Sequence, residues 1–348
     1  MGLGLSHPVT SKVLYRKGNQ KFRVGAASMH GWRDTMEDAH TINLSLENHK
    51  NSAFFGIFDG HSGSLCSKYI AQTLPKKIDE KVTDFKDEKL IREIVMEADQ
   101  DFLDADEFRN KDDGSAGIFT LASCNDDNTY TLVNGNIGDS RIVLYKKLQD
   151  GFEIVACTQD HKPTNEAERK RIEAAGGCVQ MARVDGQLAL SRAFGDRMLK
   201  HPMSLPPADR KVTSDPDVHS IVVTSDDYLF LACDGIYEGD VFTRESVMKF
   251  ISDNLEKTND LALICANVLD ECLRRGSRDN MSAMIVQFVS GEDYHSDKNE
   301  YVPGIWHAEE GDSRFQEAYR KDASDSGYTL DQALELLKKR TEKAAGSD

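Results

Sequence analysis

Apolar and polar positions alternate in short β-favouring runs along the chain, at Lys21 to Ala27, Ala53 to Phe58, Tyr130 to Val133, Arg141 to Tyr145, Glu153 to Cys157, His219 to Val223, Tyr228 to Ala232 and Met284 to Phe288. Many short strands bounded by turn residues favour an antiparallel core over repeated β-α-β units. Between them the period lengthens to that of a helix, at Leu65 to Ile78, Leu90 to Phe102, Glu166 to Ala175, Arg244 to Leu255 and Leu261 to Arg275. Leu90, Ile91, Ile94, Val95, Ala98 and Phe102, for example, fall on one helical face. The class expected is α+β, with helices covering sheets. After Ser290 the chain turns acidic and polar, with apolar anchors only at Val302, Ile305 and Trp306 before a last helix pattern. Thr329 and Gln332 have the spacing of a capping box, and Leu330, Leu334 and Leu337 line one face. The organisation expected is an N-terminal segment over 1–20, a main unit over 21–290 and an acidic appendage over 291–348.

Composition narrows the class. Of 348 residues, 39% are hydrophobic and 29% charged, enough apolar material for a sizeable core and too much for a disordered chain. No apolar run approaches the roughly 18 residues of a membrane span, and no apolar leader marks a secretory signal, so a cytoplasmic location is expected. The seven cysteines are scattered and lack Cys-x-x-Cys pairs, which predicts reduced thiols rather than disulfides or a zinc site. A net charge of −16 argues against nucleic-acid partners. It suits hard cations held by clustered carboxylates.

Four segments place an aspartate beside an apolar strand and a small or polar turn: FFGIFDGHSG with Asp59, TLVNGNIGDSR with Asp139, YLFLACDGIYEG with Asp234 and RGSRDNMSAMIV with Asp279. Each alone reads as an ordinary turn. Turns at strand ends gather side chains from distant sequence, and Gly60 and Gly235 let a backbone approach a ligand closely. A fifth segment, GWRDTMEDAH, adds Arg33, Glu37 and Asp38. Converging aspartates without His or Cys partners repel one another unless cations neutralise them, and all-oxygen sites select magnesium, manganese or calcium.

GWRDTMEDAH, FDGHSG, GNIGDSRIVLY, QDHKP followed by AERKRIEAAGG, RVDGQLALSRAFGD, DYLFLACDGIY and GSRDNMS stand in one order between Phe22 and Phe288. In that order they resemble the metal-dependent type-2C protein serine/threonine phosphatase family. The resemblance implies a central sandwich of two antiparallel β-sheets flanked by helices, with a dinuclear metal centre at one end. It implies hydrolysis of phosphoserine and phosphothreonine on phosphorylated protein substrates, with a water activated by two divalent cations, Mn2+ or Mg2+. Asp59 would bridge the cations, Asp234 and Asp279 would complete the first site, and the Gly60 carbonyl would serve the second. Glu37 and Asp38 would act largely through metal-bound waters, and Asp139 would share a third, weaker ion with Asp234. Arg33 would grip the phosphate bidentately. His61 would protonate the leaving oxygen, with a plain orienting role for Asp59 or a water as its alternative. Asp160 to Lys200 would form a flap beside the site, where its basic residues Arg169, Lys170, Arg171, Arg183 and Arg192 are expected to make a solvated face.

The chain departs from the family pattern at Tyr237 and Glu238, where tryptophan and aspartate are usual, at Ser115, Ala116 and Gly117, and at Ser62. None of these is a presumed metal ligand, so an active enzyme is expected rather than a phosphoprotein-binding pseudophosphatase; a small-molecule phosphoesterase would use the same centre. CLRRGSR, from Cys272 to Arg278, fits the Cys-x5-Arg spacing of cysteine-dependent phosphatases, but Cys272 sits at the end of a helix pattern that Gly276 closes, the wrong place for a lowered thiol pKa. The start Met1, Gly2, Leu3, Gly4, Leu5, Ser6 fits N-terminal myristoylation. Residues 1 to 33 carry Lys12, Arg16, Lys17, Lys21, Arg23 and Arg33 with no acidic residue, the kind of second signal that peripheral membrane contact requires.

Overall fold

The structure, a computed structural model, describes residues 5–148, 151–309 and 312–345. Two antiparallel sheets stack face to face. The first runs in the order β15 (Glu300–Val302), β1 (Val9–Gly18), β2 (Arg23–Gly31), β14 (Met281–Gln287), β13 (Asp227–Ala232), β7 (Arg141–Leu148), β8 (Gly151–Cys157). The second runs β12 (Asp217–Val223), β6 (Tyr130–Ile137), β5 (Gly114–Cys124), β4 (Ser52–His61), β3 (Ala39–Asn43), with the two-residue β11 (Phe194–Gly195) also on β5. A short hairpin, β9 (Val179–Gln180) with β10 (Arg183–Val184), stands apart. Phe55, Ile57, Ile118, Leu132, Leu144, Leu231, Met284 and Val286 fill the space between the sheets.

Helices close both outer faces. α1 (Leu65–Lys81) and α2 (Glu88–Asp104) cover the second sheet; α4 (Arg244–Leu255) and α5 (Leu261–Arg275) cover the first. Buried strands pressed on both sides read as near-continuous apolar runs, and β13 and β14 do so here. Local signals set the helix ends: the Asp87 and Asp260 side chains accept from Leu90 N and Leu263 N, and Gly276, at φ 103°, ends α5 as expected. This is the expected α+β sandwich.

The flap between β8 and β12 contains α3 (Glu166–Ala174), the hairpin and β11 around a small core of Ile172, Val184, Ala193, Leu199 and Val212. Two of its expected solvated cations are not solvated. Arg171 and Arg192 close on Glu168, which is 3% exposed. Burial works against that carboxylate's charge, but the hydrogen bond from Arg192 and the charges of Arg171 and Arg192 outweigh it and hold its pKa down to about 2.

The edges expected at residues 20 and 290 do not coincide with gaps in the packing. β1 pairs with β2 from Lys12 opposite Met29 to Gly18 opposite Arg23, and β15 returns from the appendage to pair with β1. α6 (Ser313–Asp325) and α7 (Leu330–Ala345) pack Phe315, Tyr319, Ala323 and Ala333 against Leu5, Val9 and Tyr301. The capping box forms as spaced, with Thr329 N donating to Gln332 Oε1 at 2.8 Å and Gln332 N to Thr329 Oγ1 at 3.3 Å. Truncation after residue 290 is therefore expected to lose about 3 kcal/mol or more of stability through exposure of Val9 and its neighbours. Denaturant unfolding of the truncated chain checks this, and an unchanged midpoint would refute it.

Gly2 lies outside the described residues. The cations counted with it are largely engaged: Lys12 pairs with Asp270 at 2.6 Å, Arg16 with Asp260 at 2.8 Å and Glu300 at 2.7 Å, and Arg23 with Asp293 at 3.2 Å. Among the described residues no helix is long and apolar enough to cross a membrane.

Candidate active site

The carboxylates of the four aspartate turns meet at one end of the sandwich because antiparallel pairing puts the end of one strand beside the start of the next. Asp59 lies near the end of β4, and Asp38 immediately precedes β3, whose first residue Ala39 faces Phe58. In the other sheet Ala232, last in β13, faces Ala283 near the start of β14, so Asp234 and Asp279 leave neighbouring strands at the same edge. Two glycines permit the approach. A Cβ at Gly60 would lie 2.3 Å from the Glu37 carbonyl oxygen, and one at Gly235 would lie 2.1 Å from the Asn280 carbonyl oxygen. Any side chain there would push the strand ends apart.

Asn280 fastens the Arg33 segment to this edge. Its Oδ1 accepts from Glu37 N at 2.9 Å, and its Nδ2 donates to the carbonyls of His30 at 2.8 Å and Thr35 at 2.9 Å. Ser282 Oγ donates to Asp38 Oδ2 at 2.7 Å. Sequence reasoning carried Asn280 and Ser282 only as letters of a motif; their roles depend on a chain separation of more than 240 residues.

The electrostatics are those of crowded acids. Burial, then the charges of Asp234, Asp38, Asp279 and Asp139, raises the Asp59 pKa well above its ordinary value. Asp234 is pushed up to about 8 by burial and by Asp139 and Asp279, even though it is in hydrogen-bonding contact with Asp59. Asp38 is pushed up to about 7, chiefly by burial, and its Oδ1 is buried with no protein partner. Oxygens of Asp38 and Asp59 and the Cys233 sulfur can all lie within 4.8 Å of one another. Two carboxyls in contact, beside an orphaned buried carboxylate oxygen, need a proton or a cation between them. The oxygen donor set fits a hard divalent cation.

Arg33 Nη2 donates to Asp279 Oδ2 at 2.6 Å, while its side chain is 55% exposed. Burial opposes its charge, but Asp279 and Glu238 more than compensate, so its pKa rises. Glu37 accepts from Thr35 Oγ1 at 2.7 Å and from Gly63 N at 3.2 Å. His61 does not turn to Asp59: its Nε2 lies 2.9 Å from both carboxylate oxygens of Asp196, a flap residue present in the sequence reading only as the last letter of RVDGQLALSRAFGD. Asp139 joins the group through its charge on Asp59 and Asp234, but it is also ion-paired with Lys162, which the sequence offered only as a letter of QDHKP. Lys162 thus competes with any cation at Asp139.

Of the departures from the family pattern, Tyr237 is buried under the Arg141 guanidinium, 4.4 Å from its ring centroid, and Glu238 is exposed. Ser115 Oγ lies 2.6 Å from the Ala116 carbonyl oxygen and 3.1 Å from that of Asp59, and Ser62 adopts φ 60°. Cys272 is fully buried on α5 and its thiol is pushed up by burial, which removes the Cys-x5-Arg alternative.

Residues 22–281 match the family model described as Protein phosphatase 2C. The chain is 35% identical over 320 residues to protein phosphatase ppm-1.A of Caenorhabditis elegans, an alignment covering 86% of this chain and 66% of that relative. It is 36% identical over 301 residues to human protein phosphatase 1A, covering 83% of this chain and 76% of the relative. A crystal structure of a phosphatase from Toxoplasma gondii superposes with a TM-score of 0.70 at 26% identity, over 85% of this chain and 99% of that one. Fold and site thus define a protein phosphatase as the class. The chain belongs to the protein phosphatase 2C family.

Proposed function

We propose that the chain hydrolyses phosphoserine and phosphothreonine on proteins with two divalent cations, Mn2+ or Mg2+, held by Asp59, Asp234, Asp279 and the Gly60 carbonyl, with Glu37 and Asp38 at their periphery. The observation that carries this is the contact between the raised-pKa carboxyls of Asp59 and Asp234 beside the unpartnered Asp38 oxygen. When bound, the cations would supply Lewis-acid activation of the attacking water and charge opposite the phosphoryl oxygens. A third, weaker ion at Asp139 would first have to displace Lys162. Arg33 is partly exposed beside this group and offers its planar fork to phosphate. His61 donates the proton to the departing oxygen.

The test is turnover of an aryl phosphate and a phosphothreonine peptide with added manganese, magnesium or chelator. Loss of both activities with chelator supports the reading; phosphopeptide binding without turnover would make the chain a pseudophosphatase, and turnover confined to small esters a small-molecule phosphoesterase. Arg33→Ala is expected to raise the Michaelis constant about tenfold with a smaller fall in kcat, because grip on the ground-state phosphate is lost first. An unchanged constant would assign Arg33 to holding Asp279 alone. For the membrane, we infer that acylation at Gly2 would give only marginal attachment, since Lys12, Arg16 and Arg23 are engaged by acidic partners. Mass spectrometry of the native N-terminus tests the modification.

A further inference from the structure

The β4–β5–β11 register brings three distant segments into line: His61 faces Gly114, and Gly114 faces Gly195. Asp196 follows Gly195, is 5% exposed, and places both carboxylate oxygens 2.9 Å from His61 Nε2. The space for this pair is made by a missing side chain. A Cβ at Gly114 would lie 2.2 Å from His61 Nε2 and 2.4 Å from Asp196 Oδ2.

The backbone that delivers Asp196 is held from two sides. Asp196 itself takes the left-handed conformation, φ 50°, an arrangement that costs a non-glycine residue free energy and persists only where neighbours enforce it. Its N–H donates to the Asp113 carbonyl at 3.2 Å, and Gly195 N donates to Asp99 Oδ1 at 2.7 Å. Asp99 is in turn ion-paired with the buried Lys200. With Nε2 committed to Asp196, Nδ1 is the imidazole nitrogen without a protein partner among the described residues.

We propose that Asp196 is a positioning residue for the hydrolysis, fixing the His61 ring so that Nδ1 is the nitrogen that serves the leaving oxygen. This rests on the reading of His61 as proton donor. In the step concerned, the oxygen of the attacking water bonds to phosphorus as the ester P–O bond breaks. The bond's electron pair leaves with the serine or threonine oxygen, which takes the proton from His61 Nδ1. The water's own proton passes to solvent, solvent later reprotonates Nδ1, and the products are the free hydroxyl and inorganic phosphate. A proton-transfer residue oriented by a third group is a common arrangement in catalytic sites, and here the orienting group belongs to the flap. Flap geometry and proton delivery are thereby joined.

The experiment compares kcat for a phosphothreonine peptide, whose alkoxide needs a proton to leave, with kcat for 4-nitrophenyl phosphate, whose phenolate does not. Wild type, Asp196→Asn, His61→Gln and the double variant are measured at saturating Mn2+. Asp196→Asn is expected to lower peptide kcat on the order of tenfold or more with a much smaller loss on the aryl ester, within the usual range for proton donation. The peptide Michaelis constant should stay within about twofold, as expected when a transition-state contact alone is lost. In the His61→Gln background the second substitution should add nothing, and Asp196→Glu should recover part of the loss. Gly114→Ala, which keeps both residues but forces their side chains apart, should show the same preference between substrates. Equal losses on both esters, or losses that multiply in the double variant, overturn the proposal alone. Absence of wild-type turnover on either ester overturns the phosphatase reading and the proposal with it.

Discussion

Asp59→Asn or Asp234→Asn is expected to reduce turnover on the order of 10³-fold at saturating manganese, a rise of about 4 kcal/mol in the barrier. The fold should survive. The carboxyls of Asp59 and Asp234 are in contact and face further acids, so folding without metal must either hold like charges together or bind a proton there, and both oppose stability at neutral pH. An isosteric amide removes part of that repulsion, and the metal-free variants should melt no lower than the wild type. The wild type should gain stability on titration with Mn2+, because an ion bound only by the folded state stabilises it by mass action. Either variant should gain much less. Full activity at saturating manganese would sink the two-cation reading, and a variant that melts well below the metal-free wild type would show that these carboxylates hold the fold rather than a cation.

Asp99→Ala should be the most damaging single change away from the cluster. Lys200 is 0% exposed, and its ammonium is paired with Asp99 and donates to the Ala193 carbonyl at 2.9 Å. Asp99 also accepts from Gly195 N at 2.7 Å and Ser214 Oγ at 2.9 Å, so one carboxylate of α2 holds three points of the flap. Removing it leaves a buried ammonium with a single carbonyl partner, which costs about 3–5 kcal/mol. Replacing both partners, as in Asp99→Leu with Lys200→Met, should recover much of that loss, because the pair's own attraction is largely offset by its desolvation. Chemical denaturation of the single and double variants measures both effects. A single-variant loss below about 1 kcal/mol would place this pair with ordinary surface ion pairs.

The expected helices at Arg244–Leu255 and Leu261–Arg275 form with those bounds, since an amphipathic stripe and an Asp or Thr cap are local signals. The strand runs were legible wherever branched and aromatic residues dominate, as in β13. β5, GSAGIFTLASC, carries no clear strand pattern because glycine, alanine and serine weaken the signal; its small residues are what let β4, β6 and β11 crowd around it. β1 and α6 also escaped. Val9 and Val13 of β1 share one cluster with Phe315, Ala318, Tyr319 and Ala323 of α6, and neither segment carries enough apolar residues to announce a core alone.

At the site, sequence alone pointed to Asp59, Asp234, Asp279, Asp38, Glu37, Asp139, Arg33 and His61, because a motif is carried by residue types in a fixed order. It could not show what those side chains touch. Asn280 and Ser282 as fasteners, Lys162 beside Asp139 and Asp196 beside His61 were decided by strand register and by the flap's path, which bring together residues 23 to 244 positions apart. Hydrophobic period and capping act within one or two turns of chain, so they are written locally. A contact between loops depends on how two sheets pair and stack, and on the room left by glycines such as Gly60 and Gly114, where a Cβ would collide with the facing segment; that information exists only once the chain has folded.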